Sequence, residues 1–279
     1  MNIKFTKIEG LGNDYIYIEK KSILGGTSLP KLARLISDRR FGAGSDGLIT
    51  IKKLSSNSAQ LEIYNSDGSK ALFCGNGLRG AALYLKLIHK LKSSDFTIKV
   101  GEKDYQASIL NIAADKAVIK AELGPPSFQP SKIGLKKKIK SSFGIPLKIN
   151  SRRYDLYCLA IPNPHAIVYV KNYNFDWCRD GYAIEHNPIF RNKANVMFAK
   201  IKSPRQIAVI PWERGSGATL ACGSGAAAAT VMSSLLGLTA RNVVVLMPGG
   251  SLKNYWDISQ NVVFQEGPSR LVYSGVYKI

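Results

Sequence analysis

Cys74-Gly75-Asn76-Gly77-Leu78-Arg79-Gly80-Ala81-Ala82-Leu83 and Cys222-Gly223-Ser224-Gly225-Ala226-Ala227-Ala228-Ala229-Thr230-Val231 are two versions of one phrase, far apart in the chain. Each opens on a cysteine and a glycine, passes through small residues and runs on into an apolar stretch. After the first, Leu78, Ala81, Ala82, Leu85 and Ile88 recur with helical period; after the second, Gly225 to Leu236 is apolar on most faces. Both predict a buried helix entered through a cysteine–glycine turn.

The surroundings of the two phrases repeat as well. Ile3 to Ile8, Tyr15 to Glu19, Leu48 to Lys52 and Leu61 to Tyr64 read as strands, Leu29 to Arg39 as a helix and Asp67-Gly68 as a turn. Strands over Phe96 to Val100, Tyr105 to Leu110 and Ala117 to Leu123 follow the first helix. In the second half, Tyr154 to Ile161, Ala166 to Val170, Val196 to Ile201 and Gln206 to Ile210 are strand-like, with a helix over Asp176 to Glu185. Val243 to Leu246, Asn254 to Ile258, Val262 to Gln265 and Leu271 to Tyr277 close the chain as four further strands. The fold class is α/β (α+β), and the repeated order is that of an internal duplication. Gly124-Pro125-Pro126 opens a polar, proline-containing stretch and marks the boundary between the halves.

With 279 residues, 45% hydrophobic and 21% charged, the chain has the composition of a folded protein rather than a disordered one. No apolar run is long enough to cross a bilayer, and Met1-Asn2-Ile3-Lys4-Phe5 lacks the pattern of a signal peptide, so a cytoplasmic location and no membrane partner are expected. The four cysteines then read as thiols. A net charge of +20 raises nucleic acid as a partner. The basic residues are scattered, however, and the densest group, Lys136-Lys137-Lys138 with Lys140, has no interleaved aromatics. A solvated basic face that favours approach of an anionic small molecule is expected, with no nucleic acid.

A helix start presents backbone N–H groups without intrahelical acceptors and a partial positive charge, which makes it an anion site suited to an amino-acid carboxylate. The same field favours thiolate over thiol at Cys74 and Cys222. Two thiols meeting across a cleft can invert a stereocentre: one removes a proton from carbon while the other protonates the opposite face. Such chemistry needs no pyridoxal and no metal. Zinc is disfavoured, because there is no Cys-x-x-Cys and His89, His165 and His186 do not pair with a cysteine at ligand spacing. Spacing alone does not separate a catalytic thiol pair from a redox disulfide.

Four further clusters carry polar groups suited to a zwitterion: Gly10-Leu11-Gly12-Asn13-Asp14, Asn65-Ser66-Asp67-Gly68-Ser69, Asn163-Pro164-His165 and Glu213-Arg214-Gly215-Ser216-Gly217. Asparagine offers both donor and acceptor, and adjacent opposite charges on a glycine-rich loop can read an ammonium and a carboxylate together. Singly, each is also a common turn, a structural histidine or a surface ion pair.

Taken together with Cys74-Gly75-Asn76-Gly77-x-Arg79 and Ala221-Cys222-Gly223-Ser224-Gly225-Ala226, and in this order along nearly the whole chain, these motifs resemble the diaminopimelate epimerase family. The resemblance implies cofactor-independent interconversion of LL- and meso-2,6-diaminopimelate, for lysine and peptidoglycan synthesis, by a homodimer. It implies two pseudo-symmetric lobes, each a mixed sheet wrapped around a central helix with the active site in the cleft between them. The lobes would be 1–123 and 124–266, with the C-terminal strand 267–279 returning to the first. By the same resemblance Cys74 and Cys222 are acid and base, and backbone groups of Gly75, Asn76, Gly223 and Ser224 hold the reacting carboxylate. Asn13, Asn65, Asn163, Asn195, Glu213 and Arg214 contact substrate, and His165 supports the site. Asn195 rests on the resemblance alone. Gly80 and Pro162 depart from the family, which usually carries cysteine and glycine there. Two rivals remain: a related racemase acting on histidine or a proline derivative, disfavoured by Arg214 and its asparagines, and a basic nucleic-acid-binding protein on the same fold.

Overall fold

The structure, a computed structural model, describes residues 2–23 and 28–278; residues 1, 24–27 and 279, and with them the ends of the N- and C-terminal readings above, lie outside it. The chain forms two compact units, Met1–Glu122 with Glu266–Ile279, and Leu123–Gln265.

In the first unit the order is β1 (Asn2–Gly10), β2 (Asn13–Glu19), α1 (Leu29–Ser37), β3 (Gly47–Lys53), β4 (Ser58–Asn65), β5 (Lys70–Ala71), α2 (Gly75–Leu87), β6 (Asp95–Val100), β7 (Lys103–Ala113) and β8 (Lys116–Gly124). β1 and β2 pair antiparallel, as do β3 with β4, β6 with β7 and β7 with β8. The two parallel joins, β2 with β3 and β4 with β6, are the ones bridged by α1 and by α2, since parallel neighbours need a long crossover.

The second unit contains α3 (Pro130–Ile133), β9 (Ile145–Ile149), β10 (Arg152–Ile161), β11 (Asn163–Tyr169), α4 (Trp177–Glu185), β12 (Asn195–Ser203), β13 (Gln206–Glu213), β14 (Gly217–Ala218), α5 (Gly223–Leu235), β15 (Asn242–Met247), β16 (Gly250–Asp257) and the start of β17 (Val262–Lys278), which from Glu266 onward belongs to the first unit. From β10 onward it repeats the first unit's joins. β10 and β11 are antiparallel, β11 and β12 parallel across α4, β12 and β13 antiparallel, β13 and β15 parallel across α5. The repeat holds residue by residue: β2 and β11 each have 7 residues, α2 and α5 each have 13, and Tyr15 opposite Gly47 corresponds to His165 opposite Asn195.

Each central helix is enclosed by its sheet. Every residue of α2 from Gly75 to Leu85 is buried, and so is α5 from Gly225 to Ser233. The sheet of the second unit is covered on both faces. Alternate residues Leu156, Cys158, Ala166 and Val168 pack with Ile184 of α4, while Tyr169 bonds Ser233 of α5 through its hydroxyl at 2.9 Å. In the first unit, Leu32, Ala33 and Ile36 of α1 pack with Ile16, Ile18 and Leu48.

Three expectations are corrected. α1 stops at Ser37 rather than Arg39, because the Asp38 carboxylate takes the N–H groups of Arg40 and Phe41 at 2.7 Å each and turns the chain. The two strands expected at the C-terminus are one, β17, and its residues from Arg270 pair with β1. Pro268 lies within this strand, ahead of the residues that pair with β1. Finally, α3 and β9 occupy the stretch after Gly124-Pro125-Pro126, where no element was expected.

Candidate active site

The first thiol sits where α2 begins. Cys74 is the N-cap, with extended backbone (φ −149°), and its Sγ accepts the Gly77 N–H at 3.3 Å. The N–H groups of Gly75 and Asn76 have no intrahelical acceptor, so they form the anion-binding end of the helix. Asn76 is buried and donates through Nδ2 to Asn13 O at 2.7 Å and Asn13 Oδ1 at 3.0 Å. Beneath it lies Arg79, 1% exposed, whose guanidinium donates to Asn76 Oδ1 at 3.4 Å. Burial lowers Arg79 to about 10, against the attraction of the Cys74 sulfur and the Tyr17 oxygen. That attraction places a buried cation in the field of the first thiol.

Asn13 is held from its other side. Its Nδ2 donates to Asp46 Oδ2 at 2.8 Å, and Asp46 also receives Arg39 Nη2 at 2.9 Å. Arg39 and Lys7 clamp Asp14, at 2.8 and 2.7 Å. Burial pushes both carboxyls up. For Asp14 the hydrogen bonds and charges of Arg39 and Lys7 outweigh it and hold the group below the usual range, whereas Asp46, also facing Asp14, stays above it. Both ends of the Asn13 amide are therefore committed within the protein. Asn65 closes β4 and donates to Ser69 Oγ at 2.9 Å, in a turn fixed by Asp67.

The glycine at position 80 has a steric reason. A Cβ there would lie 2.1 Å from the Tyr17 hydroxyl, which donates to Gly77 O at 3.0 Å. The phenol fills the space a cysteine side chain would need.

The second thiol has the same frame and opposite electrostatics. Cys222 caps α5 with extended backbone (φ −128°), is 4% exposed, and has Ser224 Oγ at 3.8 Å. Burial raises its thiol well above the ordinary value, and the charge and hydrogen bond of Glu213 raise it further, against Gly225 N–H and Ser224. The expectation that the helix start favours thiolate at Cys222 is thus overturned: desolvation and a neighbouring carboxylate outweigh the helix end. Gly225 is needed for close packing here, since a Cβ would meet Met197 Sδ at 2.3 Å and Cys222 Sγ at 3.1 Å.

Glu213 also receives Thr219 Oγ1 at 2.7 Å. Arg214 points differently: its Nη1 donates to Asn192 O at 3.1 Å, and its N–H is taken by Asn195 Oδ1 at 2.8 Å. Asn195 donates in turn to Pro164 O at 3.3 Å. His165 lies opposite Asn195 in the register, fully buried, with neither ring nitrogen hydrogen-bonded among the described residues. Burial, helped by the positive charge of Arg214, lowers it to about 3, so the ring is neutral. Asn163 begins β11 directly after Pro162.

Within the first unit, then, Cys74, Gly75, Asn76 and Asn13 meet, with Asn65 at the end of a neighbouring strand. Within the second, Cys222, Gly223, Ser224 and Glu213 meet, and Arg214, Asn195 and His165 form a second group. Several residues that shape the site were not singled out. Glu185 is 2% exposed and fixes the Glu213 loop by accepting Gly215 N–H at 3.0 Å and Trp212 Nε1 at 2.8 Å. Gln265 braces the first turn of α5 by donating to Gly223 O at 2.8 Å. Asp46 completes the set and carries no signal in the sequence; Arg79 stands within the Cys74 motif, a charge in a buried helix, but no role is read from it there. Of the other cysteines, Cys158 is buried, which raises it to about 12 and leaves it inert, and Cys178 is exposed. Among the described residues no cluster of His, Cys, Asp and Glu could hold a metal, and no helix is long and apolar enough to cross a membrane.

The family model for diaminopimelate epimerase matches residues 5–129 and 157–272. The chain is 36% identical to the diaminopimelate epimerase of Halothermothrix orenii, over 99% of this chain and 98% of that one. It is 35% identical to that of Leptospira biflexa over the full length of both. Among solved structures, a hydroxyproline epimerase from Agrobacterium vitis shares the fold, with a TM-score of 0.70 at 9% identity over 99% of this chain and 91% of that one. Two cysteine-capped helices in a duplicated frame, matched end to end by these relatives, place the chain in the diaminopimelate epimerase family.

Proposed function

We propose that this protein interconverts LL- and meso-2,6-diaminopimelate with Cys74 and Cys222 as the two proton-transfer groups, addressing opposite faces of the α-carbon. The reading is carried by one observation: equivalent helix starts present equivalent thiols, one beside the buried Arg79 guanidinium and the other against the Glu213 carboxylate. The Arg79 guanidinium attracts negative charge at Cys74, while burial and Glu213 favour the protonated thiol at Cys222. In one direction Cys74 takes the α-proton and Cys222 delivers its own to the other face; the roles then exchange. Each turnover leaves one proton on the pair.

The carboxylate next to the reacting carbon receives the N–H groups of Gly75, Asn76, Gly223 and Ser224, whose dipoles oppose the charge that develops as the proton leaves. Asn13, Asn65, Asn163, Asn195, Glu213 and Arg214 surround the substrate. Asn13 and Asn195 act largely by fixing their neighbours, since their amides already bond Asp46, Asn76, Pro164 and Arg214. His165, neutral and dry, supplies a hydrogen-bonding ring without charge. No step calls on pyridoxal or a metal. The enzyme works as a cytoplasmic homodimer in lysine and peptidoglycan synthesis.

Incubation of LL-diaminopimelate with reduced protein in deuterated water tests this. Deuterium enters one α-carbon of the product as it inverts; inversion without solvent deuterium, or none at all in reduced protein, refutes the two-thiol reaction. Sedimentation at micromolar protein reads the dimer separately.

A further inference from the structure

The two central helices differ most at their C-terminal ends. Below α2 the chain fills the space itself. Glu19, the last residue of β2, accepts the Tyr84 hydroxyl at 3.2 Å and pairs with His89 Nε2 at 2.5 Å, while the Tyr17 and Tyr84 rings stack. At the corresponding end of β11 the residue is Tyr169, and no histidine follows. Instead a pocket of about 470 Å³ lies there, lined by Arg153, Tyr154, Asp155, Tyr157 and Tyr169 and by Leu236 and Leu238.

The lining has the makings of a ligand site. Its volume falls in the range of small-molecule pockets. The tyrosine rings stand edge to face, 5.6 Å apart at 67°, and give the pocket an aromatic surface. Arg153 and Asp155 are exposed, lie two residues apart and so on one face of β10, and make no side-chain hydrogen bond or ion pair among the described residues. Lys148 stands directly opposite Arg153 in the β9–β10 register and is likewise unpaired. Like charges directly across a strand pair repel, and an anion between them removes that cost. One cation and one carboxylate in an aromatic-lined pocket, with Lys148 beside the cation on the neighbouring strand, are complementary to a zwitterion with an apolar body.

We propose that this pocket binds a free α-amino acid with an aromatic or branched apolar side chain. The carboxylate sits between Arg153 and Lys148, the ammonium at Asp155, and the side chain against Tyr157 and Tyr169 over the leucines. The site is separate from the thiol site, because Cys222 caps the other end of α5. The 13 residues of that helix put about 20 Å between the two. The proposal therefore stands or falls independently of the epimerase chemistry.

Calorimetric titration of the full-length protein with L-phenylalanine, phenylacetate and phenethylamine tests it. L-Phenylalanine is expected to bind saturably in the millimolar range. Loss of either charged group from the probe, or the substitutions Arg153→Gln or Asp155→Asn, should each weaken binding about tenfold. Cys222→Ala should leave it unchanged. Both residues are exposed, so these variants keep the fold, as an unchanged thermal unfolding curve verifies. No saturation by about 10 mM, equal binding to the Arg153→Gln protein, or displacement of the probe by diaminopimelate overturns the proposal.

Discussion

The helix starts at Cys74 and Cys222 share backbone, length and N-cap, yet a guanidinium lies under one and a carboxylate against the other. Duplication alone would give two thiols of equal acidity, a poor arrangement for a reaction in which one must be base while the other is acid. The difference comes from side chains outside the repeated phrase or at unlike points within it. Arg79 of α2 matches Ala227 of α5, and Glu213 at the end of β13 matches Asn65 at the end of β4. In the proposed reaction, charge rather than the helix end tells the two thiols apart.

The severest way to break this comparison is to remove a thiol. Cys74→Ala and Cys222→Ala should each lower kcat for epimerisation by about a thousandfold or more, since a single base cannot protonate the face opposite itself. Turnover within tenfold of the parent in either variant would end the two-base account. Next in size is Glu213→Gln, expected to cut kcat by about a hundredfold. Glu213 holds Cys222 protonated, so its loss should also speed alkylation of Cys222 by iodoacetamide near neutral pH; peptide mass spectrometry reads this directly, and an unchanged rate would separate Glu213 from the thiol. Arg79→Met should act in the opposite sense, slowing alkylation of Cys74 and reducing turnover about tenfold, and faster alkylation would contradict the role given to the guanidinium.

The smallest effect concerns stability. His165 is buried neutral at about 3, against an unfolded value near 6.5, so between those values the unfolded chain binds more protons. Its contribution is complete above about pH 6.5 and declines as the pH falls toward 3. From pH 7 to pH 5 the loss should be about 2 kcal/mol in urea unfolding, and His165→Gln should flatten that slope. An unchanged slope would mean that the ring is solvated.

The repeated frame was legible because periodic burial writes itself into sequence. Leu78, Ala81, Ala82 and Leu85 announced α2, and the alternation of Tyr154 to Ile161 announced β10. What stayed hidden depends on contacts between distant residues. Nothing along the chain shows that the Asp46 carboxylate meets Asn13, or that Trp212 and Gly215 close on Glu185. The acidity of Cys222 was misjudged for the same reason. Helix-end position can be counted along a chain, but desolvation and the approach of Glu213 cannot. The single strand from Val262 to Lys278 was read as two because Gly267-Pro268 resembles a break when its neighbour, β1, is out of view.

Gly80 and Tyr17 also constrain the paths by which this sequence can change. With a Cβ at position 80 falling 2.1 Å from the phenolic oxygen, any larger residue there is blocked while tyrosine stands at position 17. The tyrosine must shrink first. Changes at the two sites are therefore ordered in time, position 17 before position 80.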